Sequence, residues 1–346
     1  MKAYDEKIHY LSYLRVIACV AIIWLHTFTM EAMFYKNDLS TFNDIASNTV
    51  PFIMMWAVPC FVMVTGALLL NPDKEITVKK IICRYVFRIS IVLIVFVSIF
   101  TISDVIADKE KIGVTDIVKR IFYKLYTGTS WAHLWYLYLL IGLYLLLPVF
   151  RALVKGLDDK EIKYILLIYF IFNSIVPLIN QVSKTQTGFY ITTNSIFPFY
   201  LIIGYMIHSD RIKLNMKKSI ALFAFGEILI IILSVVGIKA DNSIITSLLG
   251  NYSFVPVVIT SIGIFGMLKN ININKSNKFI LLVDKLSFGI YLTHLAFLRY
   301  GIRFGGFNPY THGGIIMIVV IVLLVFILSF LLTYILKLIP GLKNIL

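Results

Sequence analysis

Residues 313–338 read GGIIMIVVIVLLVFILSFLLTYILKL, and the only charge in the stretch is Lys337. A surface helix of a soluble protein keeps an apolar stripe on one side and polar residues on the other. This run is apolar all round and exceeds the ~20 residues needed to cross a hydrocarbon core. Nine further apolar stretches precede it, at 11–30, 50–70, 81–103, 134–150, 162–180, 194–208, 219–237, 251–268 and 281–299. An open sheet edge cannot exist in hydrocarbon, so these runs predict helices. The expected fold class is all-α: a polytopic integral membrane bundle of about ten transmembrane helices, with residues 1–346 forming one domain. Run 194–208 is short and carries Pro198 and Gly204, so it is expected to be broken or strongly kinked.

The composition agrees. Of 346 residues, 59% are hydrophobic and 14% charged, with a mean hydropathy of +0.88. Soluble domains carry about 25% charged residues, and so few charges would not cover a water-facing surface of this size. Disorder and a separate soluble catalytic domain are both excluded. The formal charge of +14 does not indicate nucleic acid, because the basic residues lie in short loops between apolar runs. With both termini in the cytoplasm, 21 of the 32 Lys and Arg fall on inner flanks, at 2–7, 74–88, 151–163, 211–218, 269–285 and 337–343. Ten fall outside, and Arg15 lies within the first run. Lys and Arg resist translocation, so an N-in, C-in topology is expected. The first run contains Arg15 and ends in HTFTME without a small-x-small site, which favours a retained helix over a cleaved signal. The longest outer segment, 104–133, includes DIVKRIFYKLY, which suits an interfacial amphipathic helix or a cover over a cavity.

Cys19, Cys60 and Cys83 have no metal spacing and are expected as small buried residues. Walker, Rossmann, H-E-x-x-H and GxSxG signatures are absent. ATP-driven transport by this chain alone, NAD chemistry and common zinc hydrolysis therefore lack support, and no metal site is expected.

Polar groups in the expensive region of the membrane usually line a cavity or pair with something. Arg15 and His26 are eleven residues apart, about 20° short of or beyond whole turns, and so share a face about 16 Å long. Arg15 snorkelling to lipid phosphates and His26 bonding a neighbouring helix is one reading. A passage joining the two membrane sides is the other, with His26 moving a proton and Arg15 holding an anion. Ser287, Tyr291 and His294 form a polar stripe at i, i+4 and i+7, either a hydrogen-bonded seam or part of a site. His133 opens the fourth run with Tyr136 and Tyr144 on its face, while Trp131 and Trp135 fit an interfacial aromatic belt. Glu227, mid-span, is expected to be paired, neutral or beside a wet cavity. Asp284 and His208 suit ordinary interface roles. In KKIICRYVFRI, Lys79, Lys80, Arg84 and Arg88 fit phosphates of a soluble donor, lipid headgroups or topology alike.

Together these segments resemble the membrane acyltransferase-3 family, bacterial enzymes that O-acylate cell-surface carbohydrates. The resemblance rests on RVIACVAIIWLH at 15–26, VPCFVMVTGALLL at 58–70, HLWYLYLLIGLYLLLP at 133–148, FPFYLIIGYMI at 197–207 and LSFGIYLTH at 286–294, in the family's order. It implies an O-acetyltransferase-like reaction in the bacterial cytoplasmic membrane. An acyl group, often acetyl, would pass from cytoplasmic acyl-CoA to a hydroxyl of a surface glycan or glycolipid. It implies catalytic roles for His26 and Arg15, and CoA binding by Arg84 and Arg88, which correspond approximately to the family's basic region although KKIICRYVFR departs from its arginine-rich spacing. Lys79 and Lys80 join them as donor-binding candidates by charge alone. Oxyanion stabilisation or acceptor positioning falls to His133, Ser287, Tyr291 or His294. Membrane lipid and the glycan acceptor are the expected partners, acyl-CoA is a substrate, and no permanently bound cofactor is expected. Direct transfer and an acyl-enzyme both remain open. The competing class is a transporter or exporter of polysaccharide, lipid or a small solute, which also uses intramembrane His and Glu.

Overall fold

The computed structural model describes residues 2–36, 40–188, 195–273 and 277–345; Asn194, which opens the sixth apolar run, and Lys275 lie outside them. No strand occurs among the described residues. Helix α1 (Lys2–Phe34) is followed by α2 (Thr41–Ile53) and α3 (Ala57–Leu69), two halves of one apolar stretch interrupted at 54–56. Helix α4 (Val78–Ala107) contains a π-helical segment at Ile81–Val86. Then come α5 (Val114–Thr127), the pair α6 (Trp135–Leu145) and α7 (Leu147–Gly156) bent by 50°, and α8 (Asp159–Ser183). The chain ends with α9 (Phe197–His208), α10 (Met216–Lys239), α11 (Val255–Asn270), α12 (Lys278–Gly305) and α13 (Ile315–Leu336). Side-chain caps start several of them: Asp158 and Glu161 form a capping box at α8, and Asn215 and Asn277 cap α10 and α12.

Among the described residues, seven helices are long and apolar enough to cross a membrane, and the bent pair makes an eighth. The expected ten is reached only with α9 and α11, of 12 and 16 residues. At 1.5 Å per residue α9 covers about 18 Å, well short of a ~30 Å hydrocarbon core. Every residue from Phe197 to Ile207 is buried, so protein rather than lipid surrounds α9 and its length need not match the bilayer. The expected break in this run does not occur. Pro198 stands in the first turn, where its missing N–H removes no helical bond.

Close backbone contact holds this buried helix. A Cβ at Gly66 of α3 would lie 1.8 Å from the Leu201 carbonyl oxygen, and one at Gly204 would lie 2.3 Å from the Met63 carbonyl oxygen. Helices α10 and α11 meet in the same way, since a Cβ at Gly263 would lie 2.4 Å from the Phe223 nitrogen. Lipid tails are as apolar as Leu, so tight packing of small residues supplies much of the attraction between such helices.

Polar bonds gather the loops at two ends. At one end Arg151 donates to the carbonyls of Leu69, Asn71 and Lys74, Arg211 to those of Val154 and Leu157, and Lys269 to that of Ile207. Tyr10 and His208 bond there too, at 2.7 Å. At the other end Arg303 pairs with Asp108 at 2.5 Å, and Arg120 forks onto Glu110 with two bonds of 2.8 Å. That fork holds the Glu110 carboxyl below its usual pKa. Segment 104–133 contains α5, whose Val114, Val118, Phe122 and Tyr126 form an exposed stripe while Ile121 and Leu125 pack inward. Cys19 and Cys60 are buried, but Cys83 is exposed on the outward side of the π-helical segment, contrary to expectation.

Gly66→Val should therefore cost more than the ~1–3 kcal/mol of ordinary overpacking, because the obstacle is backbone. Gly142→Ala, with nothing within 4 Å of the added methyl, should be neutral or slightly stabilising. Thermal unfolding of the two variants in one detergent checks the contrast.

Candidate active site

Helices α1 and α12 lie side by side and run in the same direction, and three contacts fix their register. Arg15 Nη2 donates to Asp284 Oδ2 at 2.6 Å, with Nε 2.6 Å from Oδ1. About one turn further, Cys19 Sγ donates to the Ser287 carbonyl at 3.6 Å. Further still, the His26 and His294 rings stand 5.2 Å apart between centroids. The eleven residues from Arg15 to His26 are matched by ten from Asp284 to His294, so the ion pair at one end sets the ring pair at the other.

His133 completes a cluster of three imidazoles, its ring 5.5 Å from that of His294. Its Nε2 contacts the Leu292 carbonyl at 3.2 Å, and His294 Nδ1 contacts the Tyr291 carbonyl at 2.6 Å. A carbonyl only accepts, so those nitrogens carry the protons. The remaining nitrogens, His133 Nδ1 and His294 Nε2, are buried without a partner among the described residues. In neutral rings both are lone pairs able to receive a proton. His26 hydrogen-bonds to no described residue and is only partly buried.

A cavity of about 540 Å³ runs from the Arg15–Asp284 pair toward this cluster. Arg88, Lys285 and Lys337 line it at the loop-bearing end, while Phe61, Leu140, Tyr136 and Tyr291 line its inner reach. Tyr136 and Tyr291 stand 5.6 Å apart, and the Tyr291 ring lies 5.5 Å from His133 and 5.9 Å from His294. The lining includes Arg15 but not His26, whose ring connects to the lining Tyr291 through that of His294. Asp284 offsets one of four lining cations, leaving a positive mouth suited to an anion. Lys337, just past α13, donates to the Lys285 carbonyl at 2.6 Å. Burial, and then the charges of Arg88 and Lys285, hold its ammonium below the usual lysine range.

The other residues singled out in the sequence divide. Ser287 and Tyr291 line the cavity, but Ser287 donates its hydroxyl to the Asp284 carbonyl at 2.8 Å and Tyr291 donates to the His133 carbonyl. Tyr136 lines the same space and its hydroxyl bonds to no described residue, which makes it the freer donor. Lys79, Lys80 and Arg84 are exposed and do not line the cavity, whereas Arg88 does, and it also donates to the Ile345 carbonyl at 3.0 Å. Arg84 lies within the π-helical Ile81–Val86 and faces outward from the bundle surface as an exposed residue. Lys285 and Lys337 escaped sequence reasoning because helix-end lysines read as topology signals.

Trp131 and Trp135 are not an interfacial belt. Trp131 is 5% exposed, stacks on Phe100 at 3.9 Å and donates to Asp104 at 3.1 Å. Trp135 packs against Phe197 and Tyr252. Lys124 and Arg299 also approach Asp104, at 3.5 and 3.3 Å, so the 104–133 segment is stapled over the histidine side of the bundle. Glu227 is buried in α10, with both oxygens unpartnered among the described residues, and is not part of this cavity. No group of three or more His, Cys, Asp or Glu able to hold a metal occurs among the described residues.

A family model described as an acyltransferase domain matches residues 8–337. Neither curated proteins nor solved structures give a match.

If Arg15 and Asp284 set the register, Arg15→Ala should destabilise by about 3 kcal/mol, because a carboxylate is left buried and unpaired. The double variant Arg15→Ala, Asp284→Ala should recover much of that loss. A double-mutant cycle read by chemical unfolding tests the coupling; additive losses would mean that the pair is incidental.

Proposed function

The chain belongs to the membrane acyltransferase-3 family, and on that premise we propose that it is an O-acetyltransferase. In this reading it moves acetyl from cytoplasmic acetyl-CoA to a hydroxyl of a surface carbohydrate or glycolipid, in the cytoplasmic membrane of a bacterium with both termini inside. The observation carrying it is a single cavity with cations at one end and a cluster of imidazoles just beyond the other.

Each end suits one half of the reaction. Arg88, Lys285 and Lys337 offer charge-assisted bonds to CoA phosphates, and the arginine fork suits a phosphate oxygen pair. The thin pantetheine arm then lies along Phe61, Leu140 and Tyr136, with the thioester at the level of Tyr291. The cavity volume falls within the range of small-molecule sites. Arg15 does not grip the donor in this scheme, because Asp284 already occupies its fork; it is a positioning residue that aligns α1 with α12.

His26 takes the proton of the acceptor hydroxyl, whose oxygen attacks the thioester carbonyl. The new C–O bond replaces the C–S bond, and the proton passes from His26 to the departing CoA sulfur. In this scheme the Tyr136 hydroxyl donates to the oxyanion, an interaction worth ~3 kcal/mol where geometry is good. His133 and His294, each with one unpartnered ring nitrogen among the described residues, accept hydrogen bonds from the acceptor. Because His26 connects to the cavity through the His294 and Tyr291 rings, the Tyr291 ring must swing aside as the acyl group arrives. Direct transfer is favoured over a serine acyl-enzyme, since the Ser287 hydroxyl is bonded to backbone rather than to a base.

Purified protein in vesicles, given labelled acetyl-CoA and a candidate glycolipid, should acetylate the lipid. His26→Ala should slow this about 10²–10⁴-fold with folding intact. Lys285→Ala with Lys337→Ala should raise the KM for acetyl-CoA about tenfold or more, with little change in kcat. Movement of the glycolipid without a covalent change would overturn the reading in favour of transport.

A further inference from the structure

A second cavity, of about 530 Å³, opens between α12 and α13 toward the lipid. Its wall is hydrocarbon, from Phe297 and Ile302 on α12 and from Ile321, Leu324, Leu328 and Leu332 on α13. The positions from Ile321 to Leu332 span about 16 Å of helix, room for a long alkyl chain. Leu324 is exposed beside it.

Two polar groups interrupt this apolar surface. Glu31 of α1 borders the cavity, is 2% exposed and leaves Oε2 without a hydrogen-bond partner among the described residues. Tyr300 of α12 borders it too, and its buried hydroxyl is likewise unpartnered. Hydrocarbon alone would leave both groups unsatisfied, an arrangement that native interiors avoid. An alkyl chain bearing a hydroxyl fits both halves at once, because the hydroxyl donates to the carboxyl oxygen and accepts from the tyrosine.

The position adds a reason. Glu31 is five residues beyond His26, about 7.5 Å further along α1 and away from the cationic mouth. The Tyr300 ring lies 5.7 Å from Trp131, which lies 6.4 Å from His133. One aromatic layer therefore separates the groove from the histidine cluster.

We propose that this groove binds a membrane-embedded, hydroxyl-headed amphiphile through Glu31 and Tyr300. In the acyl transfer proposed above, on which this role rests, that amphiphile is the acceptor, delivered sideways from the lipid with its sugar directed toward His26. The donor and acceptor then approach the cluster from different cavities.

The test uses the full chain in phosphatidylcholine nanodiscs with a hexadecyl glucoside carrying a diazirine in mid-chain. Illumination should label peptides containing Phe297–Ile302 and Ile321–Leu332. Excess unlabelled hexadecyl glucoside should suppress that labelling, whereas excess hexadecyl methyl ether, which has the chain but no hydroxyl, should not. Glu31→Gln and Tyr300→Phe should each reduce labelling severalfold, and Leu328→Trp, which fills the groove, about tenfold or more. Labelling spread evenly over lipid-facing helices, equal suppression by the ether, or indifference to all three variants would overturn the proposal and leave a bulk-lipid surface. The readout needs no turnover. Correct labelling without acetyl transfer would therefore sink the acyltransfer reading alone, and acetyl transfer without groove labelling would sink the groove alone.

Discussion

The ion pair between Arg15 and Asp284 determines more of this molecule than either charge suggests alone. The Asp284 carboxylate is nearly buried and the Arg15 guanidinium partly so, and their opposite charges meet through one charge-assisted hydrogen bond. Their pairing leaves α1 and α12 only one favourable register, which carries Cys19 to Ser287 and His26 to His294. A slip of one residue along either helix would turn a ring by about 100° and dissolve the cluster. The ion pair also bounds the cavity, so it fixes the site without taking part in the proposed chemistry.

Much of the architecture was legible because lipid is an unforgiving solvent. All ten apolar runs are helical over most of their described residues, and the Arg15–His26 spacing and the Ser287–Tyr291–His294 stripe mark faces that do converge. Local spacing failed where packing between distant parts of the chain decides which residues reach a site. Of the four basic residues at 79–88, Arg88 alone lines the cavity, a selection that residue spacing does not reveal. Lys285 and Lys337 meet at the cavity only through packing of α12 against α13. Helix α9 looked like a weak membrane span because hydropathy does not distinguish a lipid-facing run from one enclosed by protein. Trp131 misled for a related reason: its indole suits an interface, but Asp104 and Phe100 hold it inside.

The two cavities are chemically opposite. One is narrow and cationic at its mouth, bordered by Arg88, Lys285 and Lys337; the other is a lipid-facing groove with two buried polar atoms. Between them stand His26, His133 and His294, with Tyr291 on the cationic side and Trp131 and Tyr300 on the other. That division is what a transfer between a water-soluble donor and a membrane-borne acceptor requires, since neither substrate has to cross the path of the other.

The most direct test of the account is a cryo-EM structure with a non-hydrolysable thioether analogue of acetyl-CoA. The account predicts phosphate density against Arg88, Lys285 and Lys337, the pantetheine arm along Phe61 and Tyr136, and the Tyr291 ring displaced so that the acetyl carbon faces His26. An analogue bound elsewhere, or a His26 ring turned toward the lipid with Tyr291 still closing the cavity, would contradict it.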